Sequence, residues 1–246
     1  MPDPDFGIIE LDYTDSTNNY AMQLINDDKA YPGLTVIARS QTNGKGQRGK
    51  NWLDEPGNSL LMSIITSPKQ AIWEQFAFSA SVAVAIANVL QKLMPKTSVK
   101  IKWPNDIIIN DKKAGGILIE NILHGSRWTY SIIGLGLNVR HDALPMLPNG
   151  ISLKMACGKE TDMHLLRNEL RDQVMNTVLF PMSSALIMQE YNALLYKKGM
   201  YQKFSDFNGT WFAEILHTRT DGAIEVLLEN GNTVFYHHGQ VKWEWE

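Results

Sequence analysis

Residues 71–94 form one stretch rich in Ala, Ile, Val and Leu that stops at Pro95. Proline has no backbone N–H and clashes with the turn before it, so it ends a helix. The stretch therefore predicts one long, largely buried helix. The segment after Pro95 decides the fold class. From Ser98 the pattern turns to strands, over 99–103, 106–109, 116–122 and 128–137, with turns at Asn110-Asp111 and His124-Gly125-Ser126. A long helix followed by a meander of antiparallel strands is not a regular βαβ repeat. It predicts an α+β class with a mixed β-sheet flanked by helices.

The rest of the chain fits around that centre. An apolar stretch over 6–11 leads to Ser16 and Thr17, either of which can cap a short helix carrying Tyr20, Ala21, Leu24 and Ile25 at three-and-four spacing. Strands are predicted over 33–40 and 59–66, and helices over 162–179 and 183–196. The tail reads as short strands over 210–218, 223–229, 232–237 and 240–245. They are separated by Asp221-Gly222 and Asn230-Gly231, which are strong hairpin signals. So small a meander suits an SH3-like β-barrel packed on the larger unit. The predicted division is a main domain over 1–199 and a small β domain over 200–246.

Bulk properties exclude several classes. A net charge of −3 over 246 residues argues against a chain whose main task is coating nucleic acid. The single cysteine, Cys157, permits no internal disulfide, and the six histidines show no metal-ligand spacing. The start, Met1-Pro2-Asp3-Pro4-Asp5, lacks the basic and apolar segments of a secretory signal. No apolar run is expected to reach the roughly 18 residues of a membrane span. These readings predict a cytoplasmic protein.

Three cations, Lys45, Arg48 and Lys50, fall in one glycine-rich segment, the first hint of an anionic ligand. Gly44 to Lys50 satisfies G-x-x-x-x-G-K, but Asn51 stands where a P-loop needs Ser or Thr, and Trp52 to Gly57 is a turn where a helix should begin. There remains a loop whose glycine amides approach a ligand closely and whose cations neutralise it; read alone, a solvated surface loop fits nearly as well. Lys102-Trp103-Pro104-Asn105-Asp106 sets a cation and a carboxylate at a strand end, where sites are built. Lys102 suits a phosphate, and Asp106 suits a hydrated magnesium ion carried by a nucleotide or orients a cation; read alone, a strand-end turn with an exposed ion pair fits better. Lys112 to Gly116 is read as a link in which Gly115 and Gly116 admit a ligand beneath Lys113. Gly134-Leu135-Gly136-Leu137-Asn138 resembles half a dinucleotide fingerprint, but Val139 replaces the third glycine and no helix succeeds it.

Taken in order, Ser16-Thr17-Asn18, the Gln41 to Lys50 loop, Lys102 to Asp106, Lys113 to Gly116 with Ile117 to Glu120, and Gly134 to Asn138 resemble the motif series of biotin protein ligases. The match spans nearly the whole chain and includes the small β tail. The resemblance implies a catalytic domain related to class II aminoacyl-tRNA synthetases and to lipoate ligases. It implies that ATP activates biotin as biotinyl-5'-AMP, which then biotinylates a lysine of a biotin carboxyl carrier protein or domain, such as that of acetyl-CoA carboxylase. Catalytic roles would fall to Lys113, Arg48, Lys102 and Asp106. Biotin contacts would come from Ser16, Thr17, Asn18, Gln41, Lys45, Gly46, Gln47, Lys113, Gly115 and Gly116. The nucleotide and adenylate would meet Arg48, Lys50, Trp52, Asn105, Lys113 and Asn138, with Mg2+ reached indirectly by Asp106.

Where the family loop commonly reads Gly-Arg-Gly-Arg-Arg-Gly-Arg, this chain keeps only Arg48, with Lys45, Gln47 and Lys50 at the other positions. Lysine gives a point charge without a bidentate fork, and glutamine gives no charge. Only about fifteen residues precede Ser16, too few for the helix-turn-helix domain some relatives carry, so no operator binding or other nucleic-acid partner is expected. No membrane partner is expected, and either a monomer or a homodimer is compatible with the resemblance. A lipoate ligase is the nearest alternative, disfavoured by the polar Ser16, Thr17, Asn18 and Gln41 set. A non-catalytic biotin or nucleotide sensor is disfavoured by the retained Lys113, Asp106 and Arg48.

Overall fold

The computed structural model describes residues 7–245. Met1 to Phe6 and Glu246 lie outside them, and with them the acidic start and the ends of the predicted first apolar stretch and last domain. Seven strands form the main sheet: β1 (Ile8–Thr14), β2 (Thr35–Gln41), β3 (Ser59–Thr66), β4 (Val99–Lys102), β5 (Asp106–Ile109), β6 (Lys112–His124) and β7 (Arg127–Asn138). Their order is β1-β2-β3-β7-β6-β5-β4. Only β1 and β2 pair parallel; β3 pairs antiparallel with β2 and β7, and β4 through β7 form the predicted antiparallel meander. The sheet is thus mixed, as the class requires. β6 begins at Lys112, so the predicted link over Lys112 to Gly116 is strand, with a register shift between Ile107 and Ile108 where it pairs β5. Polar residues and two glycines hid the start of a strand whose ladder partners, Asp106 to Ile109, lie just across the Asn110-Asp111 turn.

Helix α1 (Thr17–Asn26) packs on one face of the sheet. Helix α2 (Gln75–Leu93) covers the other, together with α4 (Met163–Leu179) and α5 (Ser184–Leu194). A short helix, α3 (Leu153–Cys157), is capped by Ser152 Oγ and ends at Gly158, whose φ of 69° suits glycine. Its five residues are too few for periodicity to reveal. The expectation that no segment reaches membrane-spanning length needs correcting. Ile72–Leu93 is long and apolar enough by composition, with mean hydropathy 1.5. That apolar surface is spent inside: Phe78, Val82, Ile86 and Leu90 share one buried core with Leu60, Met62 and Ile64 of β3 and Ile133, Leu135 and Leu137 of β7. Burying each such side chain contributes about 1.5–3 kcal/mol.

The tail forms a five-stranded antiparallel sheet of β8 (Tyr201–Asp206), β9 (Gly209–Thr218), β10 (Ile224–Leu228), β11 (Thr233–Tyr236) and β12 (Lys242–Trp243), ordered β11-β10-β9-β8-β12. Its aromatic core stacks Phe204 on Trp211 at 5.0 Å and leans Trp211 on Tyr236 at 5.2 Å. Both glycine hairpins appear as predicted, with Gly222 and Gly231 at φ 87° and 83°. Strand β8 begins ahead of the predicted first tail strand, because alternation is weak through its polar residues.

Candidate active site

Side chains alternate across a strand. Leu60, Met62 and Ile64 of β3 therefore face α2, whereas Leu61 and Ser63 face the opposite side, as do Gly134 and Gly136 of β7. On that opposite face the sheet floors a cleft of roughly 1010 Å³, walled by the glycine-rich loop and by turns of the C-terminal sheet. The glycines bring the walls close. A Cβ on Gly134 would collide with the Asn18 amide, and one on Gly136 would lie 2.6 Å from the Trp52 ring.

One end of the cleft is a fixed polar network. Ser16, Thr17 and Asn18, at the start of α1, are each under 5% exposed. Ser16 occupies the N-cap position without making a side-chain cap bond. The Thr17 amide and hydroxyl both donate to Gln41 Oε1, at 2.8 and 3.1 Å. Ser63 Oγ sits 2.7 Å from Thr17 Oγ1 and 2.6 Å from Asn18 Oδ1. Asn18 Nδ2 donates to Glu120 Oε2 at 2.7 Å, and Lys45 Nζ lies 3.6 Å from the same carboxylate. Ser63 and Glu120 were not predicted as site residues. Glu120 lies four residues beyond Gly116 on the same face of β6, a strand-period signal that was legible.

The other end is cationic. Lys113 and Asp106, brought together by the β5–β6 pairing, form an ion pair of 2.7 Å. Asn105 donates its side-chain amide to Ile117 O, Tyr191 donates to Pro104 O at 3.0 Å, and Trp103 Nε1 donates to Gly222 O at 2.9 Å. The strand-end motif is thereby held from three sides. Burial lowers the Lys102 pKa to about 8; nearby Lys113 and Lys50 push the same way and Asp106 partly offsets them. His238 is lowered too, chiefly by burial and then by Arg48 and Lys50.

The loop closes over these groups. Gly46 N donates to Lys50 O and Trp52 N to Gly44 O, so the glycines make a tight reversal. Arg48 sits in the left-handed region, φ 57° and ψ 42°, and its Nη1 donates to His238 O at 3.1 Å. The predicted residues Ser16, Thr17, Asn18, Gln41, Lys45, Gly46, Gln47, Arg48, Lys50, Trp52, Lys102, Asn105, Asp106, Lys113 and Gly116 all line the cleft. Gly115 and Asn138 do not. Gly115 faces Leu137 and the Gly136 carbonyl, and buried Asn138 turns its amide to Ile151 O. Strand alternation turns Gly115, the neighbour of Gly116, away from the cleft, whereas Asn138 shares the face of Gly134 and Gly136 but stands at the end of β7, opposite Ser59 and outside the cleft lining.

Such a site offers hydrogen-bonding groups at one end and the charge of Lys113, Lys102, Lys50 and Arg48, which suits an anion, at the other. Among the described residues no group of three His, Cys, Asp or Glu is placed to cage a metal. The family model described as biotin/lipoate A/B protein ligase matches residues 10–138. A bifunctional ligase/repressor BirA of Bacillus spizizenii is 29% identical over 93% of this chain and 72% of its own length. A biotin--[acetyl-CoA-carboxylase] ligase of Paracoccus denitrificans is 33% identical over 51% of this chain and 52% of its own length. Against the bifunctional ligase/repressor of Escherichia coli the match spans only 39% of that protein. In fold, the chain is similar to the biotin protein ligase of Aquifex aeolicus in complex with biotin and ATP, with a TM-score of 0.79 at 20% identity over 98% of this chain and 99% of that one. The family match runs from within β1 to the end of β7, and so includes both the polar and the cationic ends of the cleft: this chain belongs to the biotin/lipoate A/B protein ligase family.

Proposed function

We propose that this chain is a biotin protein ligase, which forms biotinyl-5'-AMP from biotin and ATP and then transfers biotin to a lysine of a carrier domain. One observation carries the reading: a single cleft joins a buried network of fixed donors and acceptors to a cluster of four cations. The ureido ring of biotin fits the network of Thr17, Asn18, Gln41 and Ser63. Its carboxylate then reaches toward Lys113.

In the first step a carboxylate oxygen attacks the α-phosphorus of ATP and the bond to the β-phosphate oxygen breaks, releasing pyrophosphate. Two anions must meet, so charge neutralisation and alignment are the main tasks. Lys113 is placed for the carboxylate and α-phosphate, and Lys102, Lys50 and Arg48 for the remaining phosphate charge. Magnesium carried by the nucleotide would meet Asp106 through water and neutralise phosphate oxygens; one carboxylate already paired with Lys113 suits such indirect contact rather than a resident ion. The glycine-rich loop and Trp52 keep water from the mixed anhydride. In the second step a neutral lysine amine of the carrier attacks the acyl carbon and AMP leaves.

Lipoate carries no polar ring to satisfy Asn18 and Gln41, which favours biotin within the family. Calorimetry tests this: biotin should bind and lipoate should not at comparable concentration. Tighter binding of lipoate would refute the assignment.

A further inference from the structure

No residue of the sequence-predicted site lies in the C-terminal sheet, yet that sheet touches the cationic end of the cleft. Lys102 Nζ lies 4.7 Å from the centre of the Trp243 ring and 5.5 Å from that of Trp245. An ammonium within about 6 Å of an indole face is held by the ring quadrupole, and more strongly when desolvated. We propose that Trp243, supported by Trp245, is a positioning residue of the ligase reaction: its ring holds the Lys102 ammonium toward the nucleotide phosphates. The inference rests on the ligase reading above.

Three observations support it. First, Lys102 is surrounded by groups that cannot fix it. Asp106 is bonded to Lys113 at 2.7 Å, while Lys113, Lys50 and His238 are repulsive or neutral neighbours. Among the described residues no carboxylate pairs with it. A four-carbon stem without a partner samples many rotamers. Second, Trp243 cannot swing away. It is 7% exposed, stacked on Tyr196 at 6.0 Å and tilted on Phe204 at 5.7 Å. Third, the contact joins the two sheets at the reacting end, next to the bond from Trp103 to Gly222 O. The C-terminal sheet therefore acts on nucleotide binding through an aromatic face, with no charge of its own required.

The test is a double-mutant cycle on biotin-dependent ATP–pyrophosphate exchange, using Trp243→Leu, Lys102→Met and both together. In the wild-type background W243L should raise KM for ATP about 3- to 30-fold, the range of a partly to fully desolvated cation–π contact, with little change in kcat. In the K102M background it should cause no further change. Trp243→Phe, which keeps an aromatic face, should recover most of the loss. The same fold-loss in both backgrounds would mean that Trp243 only packs, and would overturn the proposal, as would a W243L enzyme with unchanged KM. Should W243L fail to fold, the half-buried Trp245→Leu serves in the same cycle, with a smaller effect of about 2- to 5-fold; equal loss in both backgrounds overturns the proposal there too. Wild-type protein without exchange activity would instead overturn the ligase reading, and this inference with it.

Discussion

Gly134→Ala is the sharpest structural perturbation of the polar end of the cleft. The new Cβ would overlap Asn18 Oδ1 and lie 2.9 Å from Asn18 Cγ and 3.0 Å from its Nδ2. Asn18 cannot yield cheaply, because it is 3% exposed and bonded to Glu120 and Ser63 at 2.7 and 2.6 Å. Breaking the bond to the Glu120 carboxylate costs about 1.5–3 kcal/mol, and overpacking costs about 1–3 kcal/mol more. The amide should move, lowering biotin affinity by roughly 10- to 100-fold, since about 1.4 kcal/mol is tenfold. Titration calorimetry with biotin and thermal unfolding read the two effects. Gly116→Ala is the internal control for stability, because its Cβ would find no atom nearer than 3.5 Å. Removing the obstacle separates the causes: Asn18→Ala combined with Gly134→Ala should regain the part of Tm lost to overpacking, but not the part lost with the Glu120 bond, and should not regain biotin affinity. Wild-type affinity in the Gly134→Ala protein would refute Asn18 as a fixed ligand of the ring.

Lys113→Ala should lower biotin-dependent pyrophosphate exchange by at least about 100-fold, and Lys113→Arg should not restore it, because a fork cannot replace a point charge at this spacing; exchange at the normal rate would remove Lys113 from the chemistry. Asp54 is raised to about 6, chiefly by burial, and neither oxygen has a well-formed hydrogen bond although Ser59 offers partial relief. An acid raised in the folded state binds its proton more tightly there than in the unfolded chain, so stability falls as pH rises from about 4 through about 6. Asp54→Asn should therefore raise Tm at pH 7.5 and leave it nearly unchanged at pH 4, which paired thermal melts will check; an equal shift at both pH values would exclude the linkage. A Cβ on Gly239 would occupy the place of the Arg48 guanidinium, so Gly239→Ala should free the loop and speed tryptic cleavage after Arg48, and an unchanged cleavage rate would refute the latch.

Much of this was readable in the chain, for physical reasons that differ by element. The 71–94 helix was legible because a long apolar run ended by proline has few other folds, although its burial between sheet and helices makes it resemble a membrane span by composition. The hairpins of the tail were legible because Asp-Gly and Asn-Gly favour the required positive φ. Lys102 to Asp106 read alone fits a strand-end ion pair better, and only its order and spacing with the other motifs marked it as a candidate site; the structure places these residues at the cleft. The roles of Gly134 and Gly136 were not legible. Two glycines two apart share one face of a strand, and here that face receives Asn18 and Trp52, but the receiving side chains lie more than eighty residues away in sequence. His238, Gly239 and Trp243 were illegible for the same reason: only the docking of the tail sheet brings them to the cleft. Gly115 and Asn138 show the converse: Gly115 belongs to a motif on a strand but faces away by alternation, and Asn138 lies at the strand end, outside the cleft lining.

The central claim is that the cleft activates biotin with ATP. Purified protein incubated with ATP, magnesium and radiolabelled pyrophosphate tests it directly. Label should enter ATP only when biotin is present, and addition of a carrier domain should drain the adenylate and biotinylate the carrier. No biotin-dependent exchange, or exchange supported by lipoate in its place, would contradict the account.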